Sequence, residues 1–121
     1  MKIAISSTGA TLDAEVDPRF GRCAFFMIVD PDTREWEAVS NEAAQMGGGA
    51  GIKAAQLVAD KGAEVLITGN CGPNAFQSLM AANIRVFTGA SGSVRDAIDQ
   101  YQKGQLTETT EPSVGRHFGM R

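Results

Sequence analysis

The chain has 121 residues, 43% hydrophobic and 21% charged, which suits one domain with a buried core. Its net charge of −3 speaks against a general nucleic-acid binder, and no run approaches the roughly 20 apolar residues that span a bilayer. Two cysteines are too few for a disulfide scaffold, so both are expected to be thiols.

Lys2 to Ser6 reads as a first strand, with no signal-peptide layout before it, so a cytoplasmic protein is expected. The Ser7–Arg22 stretch has no period, and an aperiodic connection of about fifteen residues in a compact domain is usually functional or disordered. It carries Asp13, Glu15, Asp17, Arg19 and Arg22 and is read as a functional loop. Cys23 to Val29 is continuously apolar, as in a strand covered on both faces. Asp30-Pro31-Asp32-Thr33 supplies a turn, and Arg34 to Ser40 mixes Trp36, Ala38 and Val39 with charges, as an edge strand does. Asn41 to Gly51 is irregular and ends in Gly47-Gly48-Gly49-Ala50-Gly51. A helix is predicted over Ile52–Lys61, closed by Gly62.

Val65 to Thr68 is a short β-branched and aliphatic run, read as a buried strand. Gly69 and Gly72 permit a tight turn, and Pro73 suits the first position of a helix reaching Ala82, with Asn83 as its left-handed cap. Arg85 to Thr88 is another short strand. Ser93 and Asp96 form a capping box for a last helix that ends at Lys103-Gly104. From Gln105 the period is lost, so residues 1–104 are expected to form a single α/β domain and residues 105–121 a loosely ordered tail.

The order β-β-β-α-β-α-β-α predicts a five-stranded mixed sheet flanked by helices, with the first, fourth and fifth strands parallel and central. Ligands in such sheets gather at the carboxyl ends of the parallel strands. That rim receives the Ser7–Arg22 loop, the glycine loop at 47–51, the Gly69–Asn74 turn and the 89–93 turn. Backbone N–H groups at Gly47, Gly48, Gly49, Gly69, Asn70, Gly72 and Asn74 would face an anion there. Arg19 and Arg22 bracket Phe20-Gly21 and would pair with it through guanidinium donors. Thiolates favour soft metals, so Cys23, Cys71 and the tail residue His117 are candidate ligands. RNase H-type nucleases share such a sheet but need several carboxylates for Mg²⁺. The predicted first and fourth strands carry none in their interiors, and no catalytic residue stands out.

Asp17-Pro18-Arg19-Phe20-Gly21-Arg22-Cys23, the glycine loop before the first helix, and Thr68-Gly69-Asn70-Cys71-Gly72-Pro73-Asn74-Ala75 resemble the dinitrogenase iron–molybdenum cofactor biosynthesis family. The resemblance covers roughly residues 1–103. It implies a small α/β domain of RNase H-like arrangement without nuclease activity. Members bind or carry iron–sulfur or molybdenum-containing clusters, and the orange-protein-like group holds a molybdenum–copper sulfide cluster non-covalently. The resemblance implies a metal–sulfur cluster as cofactor, a non-enzymatic carrier role and cluster donor and acceptor proteins as partners. A monomer is compatible with it. It implies a site over Arg19, Phe20, Gly21, Arg22, the glycine loop and the Gly69–Asn74 turn, with Cys23 at a frequent motif position. The alternatives are a non-catalytic small-anion-binding regulator and a protein-interaction adaptor using the same rim.

Overall fold

The computed structural model describes residues 1–111. Its elements are β1 (Lys2–Ser7), β2 (Phe25–Val29), β3 (Trp36–Ser40), a 3₁₀ turn (Glu42–Gln45), α1 (Ala50–Asp60), β4 (Ala63–Ile67), α2 (Pro73–Ala81), β5 (Arg85–Thr88), α3 (Val94–Gln102) and β6 (Thr107–Thr109). They form one mixed sheet in the order β3-β2-β1-β4-β5-β6. β1, β4 and β5 run parallel, while β2, β3 and β6 pair antiparallel to their neighbours.

The apolar runs of the strands are continuous because both sheet faces are covered. Successive residues alternate between two cores. Ala4, Phe26, Ile28, Leu66 and Val86 face α1 and α2, where Ala54, Ala55, Val58, Ala75, Phe76 and Leu79 meet them. Ile3, Ile5, Met27, Val29, Val65, Ile67 and Phe87 face α3 through Val94, Ala97 and Ile98. The small side chains of α1 let that helix lie close to α2, which decides the shape of the rim.

Among the described residues, six strands are present where five were expected. The sixth, β6, falls in the stretch read as a loose tail. It is three residues, Thr107-Glu108-Thr109, and carries no apolar alternation to betray it. Polar cross-strand pairs hold it instead: the Arg85 guanidinium donates to both Glu108 carboxylate oxygens at 2.8 and 3.1 Å, and the Thr88 and Thr109 hydroxyls lie 2.6 Å apart. The capping box is present, with Ser93 Oγ accepting from Asp96 N and Asp96 Oδ2 from Ser93 N. Asn83 has the left-handed backbone expected of it, at φ 60°. α1 begins at Ala50, two residues before Ile52, because Gly49 turns the chain at φ 73°.

Candidate functional site

The long loop after β1 is a rigid wall, held from both sides. Towards α3, Val94 N donates to the Ala14 carbonyl at 2.8 Å, Arg95 N to Leu12 at 2.9 Å, and Val16 N to Gly92 at 2.9 Å. These bonds and the capping box seal the start of α3, so the turn at 89–93 presents no free helix start. Towards β1 and the turn after β4, Asp17 N donates to the Ser6 carbonyl at 2.9 Å and Asn70 N to the Pro18 carbonyl at 2.8 Å. Pro18 then crosses directly over Gly69, where a Cβ would stand 2.6 Å from the Pro18 Cα.

Beyond Pro18 the loop descends onto α1. A Cβ on Gly21 would stand 3.2 Å from the Gly51 backbone, and one on Gly51 would stand 2.9 Å from the Ala75 Cβ. The starts of α1 and α2 are thereby drawn together beneath the loop. Their caps are Gly49 and Gly72, neither of which supplies a side-chain capping bond. The first turns close through Lys53 N to the Gly49 carbonyl and Phe76 N to the Gly72 carbonyl. The N–H groups ahead of them, at Gly51, Ile52, Asn74 and Ala75, have no intrahelical acceptor, as at any helix start. Two uncapped helix starts converge here, while the third helix, elsewhere on the rim, is capped.

The space between is a cleft of about 410 Å³. It is lined by Pro18 to Gly21 on one side, Gly51 below, and Asn70 with Gly72 to Ala75 on the other. Among the described residues, Arg19 is its one charged lining residue, and no carboxylate, thiol or imidazole lines it. Phe20 is buried against Phe26, ring centroids 5.2 Å apart, and forms an apolar floor. Asp17 Oδ1 accepts from Arg19 N at 2.9 Å and Nε at 3.2 Å, and Oδ2 accepts from Nη2 at 3.2 Å. These bonds, and then the carboxylate charge, raise the guanidinium pKa further above its already high value.

Arg19, Phe20, Gly21, Asn70, Gly72 and Asn74 are brought together at the cleft, and Gly69 sits just beneath it as the spacer under Pro18. Arg22 is not in the lining: its Nη1 donates to the Ala44 and Met46 carbonyls at 2.9 and 2.5 Å and braces the 3₁₀ turn. Gly47 and Gly48 stand in open space, and Gly49 serves as the α1 cap. His117 lies outside the described residues. Sequence reasoning placed Gly51 in the rim glycine loop and Ala75 in the turn motif, but it missed that their smallness permits the helix approach, and it missed the clamp role of Asn41. That buried amide donates to the Gly21 and Cys23 carbonyls at 3.2 and 2.9 Å. A polar residue just after a strand and before a glycine loop was the one signal for it.

Cys23 and Cys71 belong to the core on the α1–α2 side, not to the cleft lining. Cys23 Sγ donates to the Phe20 carbonyl at 3.3 Å, and Cys71 Sγ lies 3.8 Å from the Gly72 carbonyl. Burial pushes each thiol from an ordinary 9.0 up to about 12. A thiol held neutral is a poor nucleophile and a poor ligand. Among the described residues, no group of three or more His, Cys, Asp or Glu is placed to hold a metal ion. In the unfolded chain both thiols ionise near 9, so stability present below that pH is lost as pH rises towards about 12. We expect a falling denaturation midpoint across that window, and no thiol reagent uptake by the native protein at neutral pH. A flat midpoint in a chain with both cysteines intact would contradict the burial.

The family model described as dinitrogenase iron-molybdenum cofactor matches residues 1–104. The orange protein of Desulfovibrio gigas, solved in its apo form, superposes with a TM-score of 0.91 at 44% identity, covering 93% of this chain and 95% of that one. A Thermotoga protein described as a candidate NifB protein superposes with a TM-score of 0.79 at 39% identity, covering 88% and 91%. An uncharacterised protein of Methanocaldococcus jannaschii is 32% identical over 109 residues, 88% of this chain and 89% of that protein. No described helix is long and apolar enough to cross a membrane.

Proposed function

The chain belongs to the dinitrogenase iron–molybdenum cofactor family, and from that premise we propose that it binds and carries an anionic metal–sulfur cluster, iron–sulfur or molybdenum-containing, in the cleft. The observation that carries this reading is the convergence of two uncapped helix starts on a space whose one charged lining residue, among those described, is Arg19. Backbone N–H donors and the positive ends of two helix dipoles favour an anion. Sulfides on the outside of a cluster accept such bonds, Arg19 adds a directed cation, and Phe20 excludes water from below.

The cargo is held by its outer atoms. Among the described residues the lining offers no thiolate, imidazole or carboxylate to a metal, which supports a cluster that keeps its own ligands and leaves without breaking a metal–protein bond. We assign the chain no catalytic step. Its role is to bind, shield and release, with cluster donor and acceptor proteins as partners in a reducing compartment, the cytoplasm. The strand order β3-β2-β1-β4-β5 supports reading the sheet as RNase H-like, with β6 added at the edge.

The test is metal and acid-labile sulfide analysis with a visible spectrum, on protein purified without oxygen and again after adding candidate clusters. We expect stoichiometric metal with sulfide. We expect the same stoichiometry in a Cys23→Ala, Cys71→Ala double variant, because the thiols act in the core. A wild-type chain that stays colourless with every cluster, yet is competed for by simple phosphate, would replace this reading with small-anion binding. Loss of metal from a folded double variant would restore the thiols as ligands.

A further inference from the structure

We propose that Asp17 is the positioning residue of this site: it fixes the Arg19 guanidinium in the cleft wall and so sets how tightly the cleft holds a metal–sulfur anion. The inference rests on the cluster-binding reading of the cleft and assigns a role to a residue the anion does not touch.

The local sequence makes the arrangement. In Asp17-Pro18-Arg19, the proline fixes one backbone angle and the aspartate side chain reaches the N–H two residues on, as in an Asx turn. The same carboxylate then takes Nε and Nη2 of that residue in a two-point fork. The exposures differ sharply: the Asp17 side chain is 4% exposed and the Arg19 side chain 67%. An arginine so exposed would otherwise sample many rotamers. The anchor is itself held, since Ser6 Oγ donates to the Asp17 carbonyl at 2.7 Å and lies 2.7 Å from the Thr68 hydroxyl. A polar chain thus runs from the ends of β1 and β4 through Asp17 to the cleft.

The two residues face different spaces. Arg19 lines both the cleft and a second cavity of about 590 Å³, and Asp17 lines the second cavity but not the cleft. The carboxylate takes Nε and Nη2, so Nη1 is the guanidinium nitrogen outside the fork and is the one assigned to the cargo. Charge alone predicts that neutralising Asp17 makes the site one unit more positive and strengthens anion binding. Positioning predicts the opposite.

The probe is tetrathiomolybdate, a molybdenum–sulfur dianion, titrated anaerobically at low salt and followed by its visible absorbance. Asp17→Asn is expected to lower affinity about tenfold despite the added positive charge. Arg19→Ala should lose a similar factor, and Asp17→Asn in the Arg19→Ala background should change affinity less than twofold. Arg19→Lys keeps the charge on an exposed residue but loses the fork, and should also bind about tenfold more weakly. That variant decides the matter if Asp17→Asn does not fold. Wild-type affinity in Asp17→Asn or in Arg19→Lys would overturn the inference, as would additive losses in the double variant. A wild-type chain that does not bind the probe would overturn the inference for a molybdenum–sulfur anion, while the metal and sulfide analysis decides the cluster reading itself.

Discussion

Asn74→Asp is expected to cost about a hundredfold in affinity for a metal–sulfur dianion while leaving the fold at least as stable as before. Asn74 is exposed, lies in the first turn of α2 and lines the cleft. A carboxylate there sits at the positive end of a helix with no acidic residue in its first turn, where an anion stabilises by about 0.3–1 kcal/mol. The same carboxylate competes for the N–H groups offered to the cargo and repels its charge. Two unit charges about 4 Å apart at an effective dielectric near 20 interact by about 4 kcal/mol, so a loss near 2.7 kcal/mol, about hundredfold, allows for exposure. Chemical denaturation and tetrathiomolybdate titration on one preparation separate the effects. Unchanged affinity in the stable variant would mean that the α2 start is not where the anion sits.

The elements that built this site were legible where chemistry is local. Ser93 and Asp96 sit at capping spacing and cap α3, and Asn83 takes the left-handed backbone that ends α2. The parallel strands placed the rim loops at one end of the sheet, because that follows from connectivity and not from contacts. What stayed hidden depends on how separate loops pack. Arg22 looked like an anion ligand beside Arg19, yet it reaches carbonyls at Ala44 and Met46, more than twenty residues away. Gly21, Gly51 and Gly69 each face another backbone or a small side chain around the cleft, while Gly47 and Gly48 face open space. A glycine run signals freedom of the chain, whereas a single glycine at a close approach gives no pattern to read. β6 escaped for a related reason, since the side-chain partners of Glu108 and Thr109 are Arg85 and Thr88, more than twenty residues earlier.

Gly69→Ala is expected to be strongly destabilising. The added Cβ would stand 2.6 Å from the Pro18 Cα, 2.9 Å from its Cβ and 3.1 Å from its carbonyl oxygen. Relief would require backbone to move, and neither side is free. Pro18 is held by the bond from Asn70 N to its own carbonyl, and the preceding Asp17 by bonds to Ser6. Gly69 is held in turn by Gly89 N, which donates to its carbonyl at 3.1 Å. Forcing one methyl into such a contact typically costs about 1–3 kcal/mol, and each kcal/mol lowers the melting temperature of a domain of this size by roughly 4 °C. Gly48→Ala is the matched control. Nothing lies within 4 Å of its Cβ position, so it should be neutral or stabilise by about 0.4–1 kcal/mol through the unfolded chain. The two melting curves, measured side by side, test the crossing of Pro18 over β4 that holds the cleft wall in place. Equal midpoints would mean that the loop rests elsewhere, and with it Arg19.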